Sequence, residues 1–322
     1  MNKLNMFKRI GVVSVLCLAA ATASAQSDTV RIVVSFNPGG PVDFVARVLG
    51  EQLGKELDRQ VVVVNRPGAN GTIGAMDVAR SAPDGSSLWI TSVGAAAINP
   101  SLYSNLPYDT QRDFVPISVV VNNVELLVAN ENDPANDAAE FVAAARASAR
   151  PTPMASSGIG SIPHLAIEQF ADASGAEFMH VPYSGAAPAI TDLMGGQVSG
   201  FFGDVAGLFG HVKSGRLKAL GIAADERHPL LPEVRTLAEQ GIEGVDTINW
   251  YALFAPAGTP AETVAALNKA VTAALETPAV RDRLSASGAD PAPSTPEALA
   301  AILARDTAKW AALIQAKGIK AE

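Results

Sequence analysis

The chain is organised around Ser35-Phe36-Asn37-Pro38-Gly39-Gly40-Pro41-Val42-Asp43. A β-branched run over residues 30–34 precedes this stretch and indicates a buried strand, and apolar residues at helical spacing follow over residues 42–53. The two glycines permit a ligand to approach the backbone closely, and the second proline suits a first helical position. Free N–H groups at a helix start bind anions, so the turn is either a carboxylate or phosphate site or a tight turn without a ligand.

Two more strand, loop and helix units follow the first. Residues 61–64 are four valines that precede a glycine-rich loop over residues 65–74, and a third strand is predicted over residues 88–92. Strands that are buried on both faces and separated by helices predict a parallel sheet, and ligands bind such sheets beyond the carboxyl ends of the strands. That edge holds the candidate binding residues of the first module, which are Phe36, Asn37, Gly39, Gly40, Asn70, Thr72, Thr91 and Ser92.

Two β-rich runs, over residues 114–121 and 124–128, mark the crossing into a second module with the same alternation of strands and helices. The glycine- and serine-rich loops of this module offer backbone N–H groups and hydroxyls, which bind an anion without a formal positive charge. Asp204 ends a predicted strand, where it either binds a ligand amine or hydroxyl or caps the next helix, and the cap is the preferred interpretation. Hinges are expected near residues 122–128 and 222–225.

The N-terminus is typical of a secretory signal. Basic residues within the first nine positions precede an apolar run over residues 10–21, and Ala23-Ser24-Ala25 is a small-residue cleavage site. We therefore expect a signal peptide over residues 1–25. The rest of the chain is expected to form a discontinuous first domain and an inserted second domain, over residues 26–122 with 226–322 and over residues 123–225, respectively.

The composition excludes several classes of protein. With 48% hydrophobic and 17% charged residues, the 322-residue chain can bury a sizeable core and is not disordered. The net charge is −8 and no basic block follows the first nine residues, which argues against a nucleic-acid partner. The single cysteine, Cys17, lies in the expected signal peptide, so disulfides and cysteine metal sites are excluded from the remainder.

The sequence carries no common motif of an enzyme or a metal site. It has no G-x-S-x-G, P-loop or H-E-x-x-H motif, and its four histidines lack metal-ligand spacing. We expect neither a metal nor a cofactor. His164 and His180 lie beside candidate loops, where each is either a structural histidine, the preferred interpretation, or the base of a secreted hydrolase.

Seven motifs follow one another along nearly the whole chain beyond the expected signal peptide. They are F-N-P-G-G-P-V-D at residues 36–43, N-R-P-G-A-N-G-T-I-G at 65–74, P-D-G at 83–85, N-P-S-L-Y at 99–103, S-S-G-I-G-S-I-P-H at 156–164, H-V-P-Y-S-G at 180–185 and F-A-P-A-G-T-P at 254–260. In this set the chain resembles the Bug-type solute-binding receptors of tripartite tricarboxylate transporters. The resemblance implies an α/β protein with the two-domain type II periplasmic binding fold and a ligand cleft between the domains. It places ligand contacts on Phe36, Asn37, Gly39, Gly40, Ser156, Ser157, Ser161, Tyr183, Gly185 and Ala186, with His164 nearby.

The resemblance also implies a function. We expect a periplasmic receptor, not an enzyme, that holds a small organic carboxylate with amides, hydroxyls and ordered waters and delivers it to inner-membrane permease subunits. The ligand is expected to be a di- or tricarboxylate, an amino acid or an aromatic acid, and the receptor a monomer. Ser184 and Asn70 depart from a common lysine and glycine of the family, which affects the outer end of the ligand. The alternatives are a sensory receptor that binds the same ligand for a signalling partner and, with less support, the secreted hydrolase.

Overall fold

The computed structural model describes residues 29–321, so the signal peptide expected over residues 1–25 lies outside the described residues. The described chain forms two lobes, each built on one β-sheet. The strands are β1 (Thr29–Val34), β2 (Gln60–Asn65), β3 (Ser87–Ser92), β4 (Phe114–Asn123), β5 (Glu125–Asn130), β6 (Thr152–Ser156), β7 (Phe178–Pro182), β8 (Gly200–Asp204), β9 (Leu217–Ala223), β10 (Asn249–Pro256) and β11 (Asp290–Pro291). The helices are α1 (Pro41–Leu57), α2 (Thr72–Ala79), α3 (Asn99–Leu102), α4 (Thr110–Asp113), α5 (Ala138–Ala147), α6 (Ile162–Ser174), α7 (Ala186–Met194), α8 (Val205–Lys213), α9 (Ala261–Glu276), α10 (Pro278–Ser285) and α11 (Pro296–Lys317).

The first lobe is built on a six-stranded sheet with the order β11-β4-β10-β3-β1-β2. Its first three strands are parallel, with Val33 opposite Val64 on one side and Trp89 on the other. Strands β4 and β10 then join in the antiparallel sense. The parallel arrangement predicted for the first three units is therefore confirmed, and their carboxyl ends lie along one edge.

The second lobe is built on a five-stranded sheet with the order β7-β6-β8-β5-β9. Strand β6 runs parallel to β7 and β8, whereas β5 runs antiparallel to β8 and β9. The carboxyl ends of β6, β7 and β8 therefore lie at the same edge as the start of β5. In this register Glu125 is the direct cross-strand partner of Asp204.

The chain crosses between the lobes twice. The first crossing lies between Asn123 and Glu125, within the expected hinge over residues 122–128. The segment after β9 turns back, pairs Thr236 with Ile222, and contributes Leu231, Val234, Leu237, Ile242 and Val245 to the second-lobe core. The second crossing accordingly lies between Val245 and Asn249, about twenty residues beyond the division expected at residue 225.

Helices cover both faces of each sheet. Helices α1, α9 and α10 pack on one face of the first sheet, and α2 and α11 pack on the other. In the second lobe α5 and α6 cover one face, and α7 and α8 cover the other. Within residues 29–321, no helix combines the length and apolar character that crossing a bilayer requires.

Helix α6 packs in both lobes. Its first turn places Ile162 and Leu165 in the core of the first lobe, beside Ala95 and Trp250, whereas Phe170 lies in the core of the second lobe. Just before the helix, the backbone of Gly160 lies so close to Leu102 of the first lobe that a Cβ atom there would overlap its side chain. The two lobes are thus in close contact beside the cleft.

Candidate functional site

A cavity of about 400 Å³ lies between the two lobes. The loop and helix starts after β1, β2 and β3 form one wall, and the corresponding segments after β6, β7 and β8 form the opposite wall. Eight of the residues predicted from the sequence line it, namely Phe36, Asn70, Ser92, Ser157, Ser161, Gly185, Ala186 and Asp204. Of these, the carboxyl-end rule for parallel strands predicted Phe36, Asn70 and Ser92, and the family resemblance implied Ser157, Ser161, Gly185 and Ala186.

Helix N-termini from both lobes reach this cavity. Helix α1 begins after Gly40 and helix α7 after Gly185, and in the described chain neither start has a hydrogen bond from a capping side chain. Helix α6 begins after its N-cap residue Ser161, whose Oγ accepts a hydrogen bond from the His164 N–H group at 3.4 Å. Because first-turn N–H groups lack helical partners and the helix dipole is positive there, α1 and α7 are favourable places for an anionic group.

The turn after β1 is held by a buried aspartate. Asp43 accepts hydrogen bonds from the Gly39 N–H group at 2.9 Å, from Asn65 Nδ2 at 2.9 Å and from the Arg47 guanidinium at 2.9 and 3.0 Å. Burial alone would raise the pKa of Asp43, but these hydrogen bonds outweigh it and hold the pKa below its usual value. Asp43 thus stays ionised and fixes the turn that ends at Gly40.

The glycine-rich loop after β2 packs beneath that turn. A Cβ atom on Gly74 would lie 2.5 Å from Ser35 Oγ, and one on Gly71 would lie 3.3 Å from Ser35 Cβ. These glycines therefore permit close packing against the protein's own backbone. Asn70, at the tip of the loop, reaches the cavity, whereas Thr72 lines a separate surface depression beside Ile73.

Stacked histidines support the loop after β6. The rings of His164 and His180 lie 3.6 Å apart and nearly parallel, and the Gly160 N–H group donates to His164 Nδ1 at 3.0 Å. Ser156 Oγ lies 2.6 Å from His180 Nε2 and is fully buried beneath the loop. Burial, together with the neighbouring His164, lowers the pKa of His180 to about 4, so His180 is neutral at pH 7. The histidines and Ser156 hold the loop from below.

Four side chains, Glu125, Asp204, Asn249 and Tyr251, meet at the other end of the cavity and are called the acid cluster below. Asp204 accepts hydrogen bonds from Asn249 Nδ2 at 3.2 Å and from the Tyr251 hydroxyl at 3.1 Å. Burial and the neighbouring Asp204 raise the pKa of Glu125 well above its usual value, and burial also raises the pKa of Asp204.

The position of Asp204 differs from the preferred sequence interpretation. Asp204 does occupy the N-cap position of α8, but its side chain makes no capping hydrogen bond there. Its oxygen atoms instead accept from Asn249 and Tyr251, which belong to the other lobe. Asp204 therefore faces the cavity and joins the two lobes.

The remaining predicted residues lie outside the main cavity. Gly39 and Gly40 line an adjoining pocket of about 260 Å³ that shares Pro41 and Tyr251 with it. Tyr183 donates its hydroxyl to Asp192 at 2.8 Å. Others are exposed, buried beneath a loop or turned to another surface, and these are Asn37, Thr72, Thr91, Ser156 and His164.

Sequence reasoning missed three members of the acid cluster. Glu125 carried a usable signal, because it is the one charged residue in the apolar run over residues 124–129 and is only 1% exposed. Asn249 and Tyr251 are two residues apart on β10, so their side chains lie on the same face of the sheet. They lie beside the cavity only because β10 pairs with β3, which is distant in the sequence, and local patterns do not predict that pairing. Among residues 29–321, no group of three or more His, Cys, Asp and Glu side chains is placed to hold a metal ion.

Comparison with known proteins identifies the family. The sequence pattern of TctC, described as the tripartite tricarboxylate transporter family receptor, matches residues 45–319. Protein BugT of Bordetella pertussis is 33% identical over 324 residues, which cover 98% of this chain and 99% of BugT. The chain belongs to the tripartite tricarboxylate transporter receptor family. This confirms the resemblance inferred from the sequence motifs, and the family is one of solute-binding receptors, not enzymes.

Solved structures of similar proteins share the fold. Rpa4515 of R. palustris, solved with adipate, is 31% identical with a TM-score of 0.82, and the match covers 90% of this chain and 97% of that one. MatC of Rhodopseudomonas palustris, solved with bound malate, is 33% identical with a TM-score of 0.78 and coverage of 89% and 98%. The two-lobe periplasmic binding fold expected from the sequence is therefore confirmed.

Proposed function

We propose that the protein is a periplasmic receptor that captures a small organic carboxylate between its lobes and delivers it to a tripartite tricarboxylate permease. One observation carries the proposal. The starts of α1 and α7, which belong to opposite lobes and lack side-chain caps in the described chain, both reach one cavity of about 400 Å³. An anion between them receives hydrogen bonds from both lobes, which favours the closed arrangement.

The proposed contacts follow from the cavity wall. Gly185 and Ala186 supply N–H groups at the start of α7, and Ser157 and Ser161 supply hydroxyls beside the start of α6. From the first lobe, Asn70 and Ser92 offer polar groups and Phe36 offers apolar surface. The predicted contacts of Asn37, Gly39, Gly40 and Tyr183 stay predictions.

Relatives support the carboxylate class and the location. Adipate and malate, the ligands named for two structurally similar receptors, are both dicarboxylates. A further similar structure is described as a periplasmic transporter, and the expected signal peptide over residues 1–25 agrees with export. Delivery to a permease is proposed from the family, and co-purification of the ligand-loaded receptor with the permease subunits tests it.

Calorimetry on ligand-stripped protein tests carboxylate capture. We expect at least one member of a panel of di- and tricarboxylates, amino acids and aromatic acids to bind. Ala186→Asp places a fixed carboxylate at the start of α7, where it favours the helix but repels the ligand. This variant should fold normally and lose at least about 100-fold in affinity, because it combines charge repulsion with a blocked anion site.

Ala186→Asn is the matched control, since it has the same shape without the charge and should lose much less affinity. Mass spectrometry of ligand retained through purification identifies the natural ligand independently. Absence of binding to every carboxylate, or wild-type affinity in Ala186→Asp, would contradict the proposal.

A further inference from the structure

The acid cluster has more hydrogen-bond acceptors than donors. The donors of Asn249 and Tyr251 are directed at Asp204. Glu125 is only 1% exposed and lines the cavity, yet within residues 29–321 its Oε2 atom has no hydrogen-bond partner. The buried Oδ1 atom of Asn249 likewise has none in that range. Because an unpaired buried acceptor is destabilising, these atoms call for a donor from outside the protein.

The cluster is also negatively charged and lacks a counter-ion. Glu125 and Asp204 are direct cross-strand partners, an arrangement that is unfavourable for like charges. No Lys, Arg or His is among the described residues that line the cavity. Burial raises the pKa values of both carboxyls, and the neighbouring Asp204 raises that of Glu125 further, because no cation in the cavity lining offsets their negative charge. A ligand carboxylate at this end would be repelled.

An ammonium group meets both requirements. It carries one positive charge and three N–H donors and has no acceptor. A hydroxyl supplies only one donor and no charge. The cluster holds two buried acceptors without a partner, Glu125 Oε2 and Asn249 Oδ1, next to the Asp204 oxygens, which already accept from Asn249 and Tyr251.

Sheet order separates this cluster from the start of α7. In the order β7-β6-β8-β5, Gly185 follows β7 and Asp204 ends β8, which lies two strands away. Two strand spacings are about 10 Å. Allowing about 3 Å for a hydrogen bond at each end leaves room for charged groups about 4–5 Å apart, as in an amino acid with a short carbon chain between them.

We propose that the acid cluster binds the ammonium group of an ω-amino carboxylate of four or five carbons, whose carboxylate lies at the start of α7. This inference rests on the proposed function and narrows its ligand class. The cluster would then act as the specificity determinant between an amino carboxylate and a dicarboxylate of the same length.

Matched ligands test the inference on the ligand-stripped wild-type protein. Calorimetry compares 4-aminobutanoate with glutarate and 5-aminopentanoate with adipate, because each pair differs only in a terminal ammonium or carboxylate. The amino member of at least one pair should bind ten or more times as tightly as its partner. If the dicarboxylates bind more tightly in both pairs, the inference is overturned and the proposed function stands; if none of the four binds, the inference fails, and the broad carboxylate panel decides the proposed function.

Variants show whether the preference comes from the cluster. Asp204→Asn and Glu125→Gln keep the side-chain shapes, and each should weaken binding of the amino ligand at least tenfold while leaving butanoate or pentanoate binding within threefold. Glu177→Gln removes the same charge from an exposed position of the second lobe and should change nothing. An unchanged preference in both cluster variants, with normal thermal unfolding, would overturn the assignment.

Discussion

Asp43, in the first turn of α1, and Asp204, at the start of α8, belong to opposite lobes, and their surroundings differ in charge. Asp43 is paired with Arg47, and hydrogen bonds hold its pKa below the usual value. Asp204 lies beside a second carboxyl, Glu125, and burial raises its pKa. In the same lobe, burial and the neighbouring His164 lower the pKa of His180. In the first lobe, the charge of Asp43 is thus compensated by Arg47. In the second lobe, titratable groups are buried, and burial disfavours their charged forms.

The difference separates a structural carboxylate from one available to a ligand. Both oxygen atoms of Asp43 accept hydrogen bonds, which come from the Gly39 amide, Asn65 and Arg47. The acid cluster instead leaves Glu125 Oε2 without a partner in the described chain. A buried carboxyl with a complete set of donors stabilises a loop, and one with missing donors at a cavity wall indicates a ligand.

The largest effect on stability is expected from removing Asp43, whose charge Arg47 compensates. Asp43→Ala leaves the Gly39 amide and Asn65 without their acceptor and should lower the free energy of unfolding at pH 7 by about 3 kcal/mol. Urea unfolding measures this. Because the pKa of Asp43 is lowered in the folded state, its contribution is present at neutral pH and is lost as the pH falls below about 4.

Asp172→Ala is the control for that measurement, since the Asp172 side chain is 61% exposed in its ion pair with Lys317. Exposed ion pairs contribute little, so this change should stay within about 0.5 kcal/mol. Equal losses in the two variants would refute the distinction between the compensated edge and ordinary surface charge.

A smaller effect is expected from His180 at the second edge. Its pKa is lowered by burial to about 4, whereas in the unfolded chain it is about 6.5. Between these values the unfolded chain binds more protons, so stability falls as the pH is lowered from 6.5 to 4. Partial exposure of His180 reduces this pH dependence. Replacing it by glutamine (His180→Gln) should therefore remove about 1–2 kcal/mol of the unfolding free energy that the wild type loses between pH 6.5 and 4.

Unfolding curves of wild type and His180→Gln at several pH values provide the measurement. The carboxyls of the acid cluster titrate in both proteins, so the difference between the two curves isolates His180. Parallel pH profiles would show that the second edge does not disfavour the charged imidazole.

The smallest effect is expected from an ion pair that joins the lobes at the surface. Lys317 of α11 lies 2.6 Å from Asp172 Oδ1 and 3.5 Å from Glu168 Oε2, both on α6. Because these groups remain partly solvated, Lys317→Ala should change both the free energy of unfolding and the ligand affinity by less than about 0.5 kcal/mol. A larger change in affinity by calorimetry would show that surface charge, and not the buried edges, controls closure.

Local sequence patterns predicted the strand and helix units and the parallel sheet, and the family resemblance added the two-domain fold and most second-lobe contacts. The valine-rich runs, helix periodicity and glycine-rich turns located β1, β2 and β3, and parallel strands necessarily end at one edge. That geometric rule placed Asn70 and Ser92 at the cavity. In the second lobe, Ser157 was implied by the family resemblance and Asp204 by the predicted end of a strand, and both line the cavity.

Long-range packing determined what the sequence did not predict. Glu125 is buried because β5 pairs with β8 and lies against Tyr251 of β10, and a charged residue at a strand start is equally compatible with a solvent-facing edge. The segment after β9 has apolar residues without a clear period, so the sequence did not predict that they pack in the core of the second lobe. Thr72 lines a separate surface depression beside Ile73 and does not line the cavity.

Helix α6 contributes residues to the cores of both lobes, and this affects how the receptor unfolds. Proteins with two lobes commonly melt in separate steps, because each core is self-contained. Here Ile162 and Leu165 belong to one core while Phe170, on the same helix, belongs to the other. In this arrangement neither core can lose α6 without exposing apolar surface in the other, so the lobes melt as one cooperative unit. A ligand that holds the lobes together therefore sharpens the melting transition as well as shifting it to higher temperature.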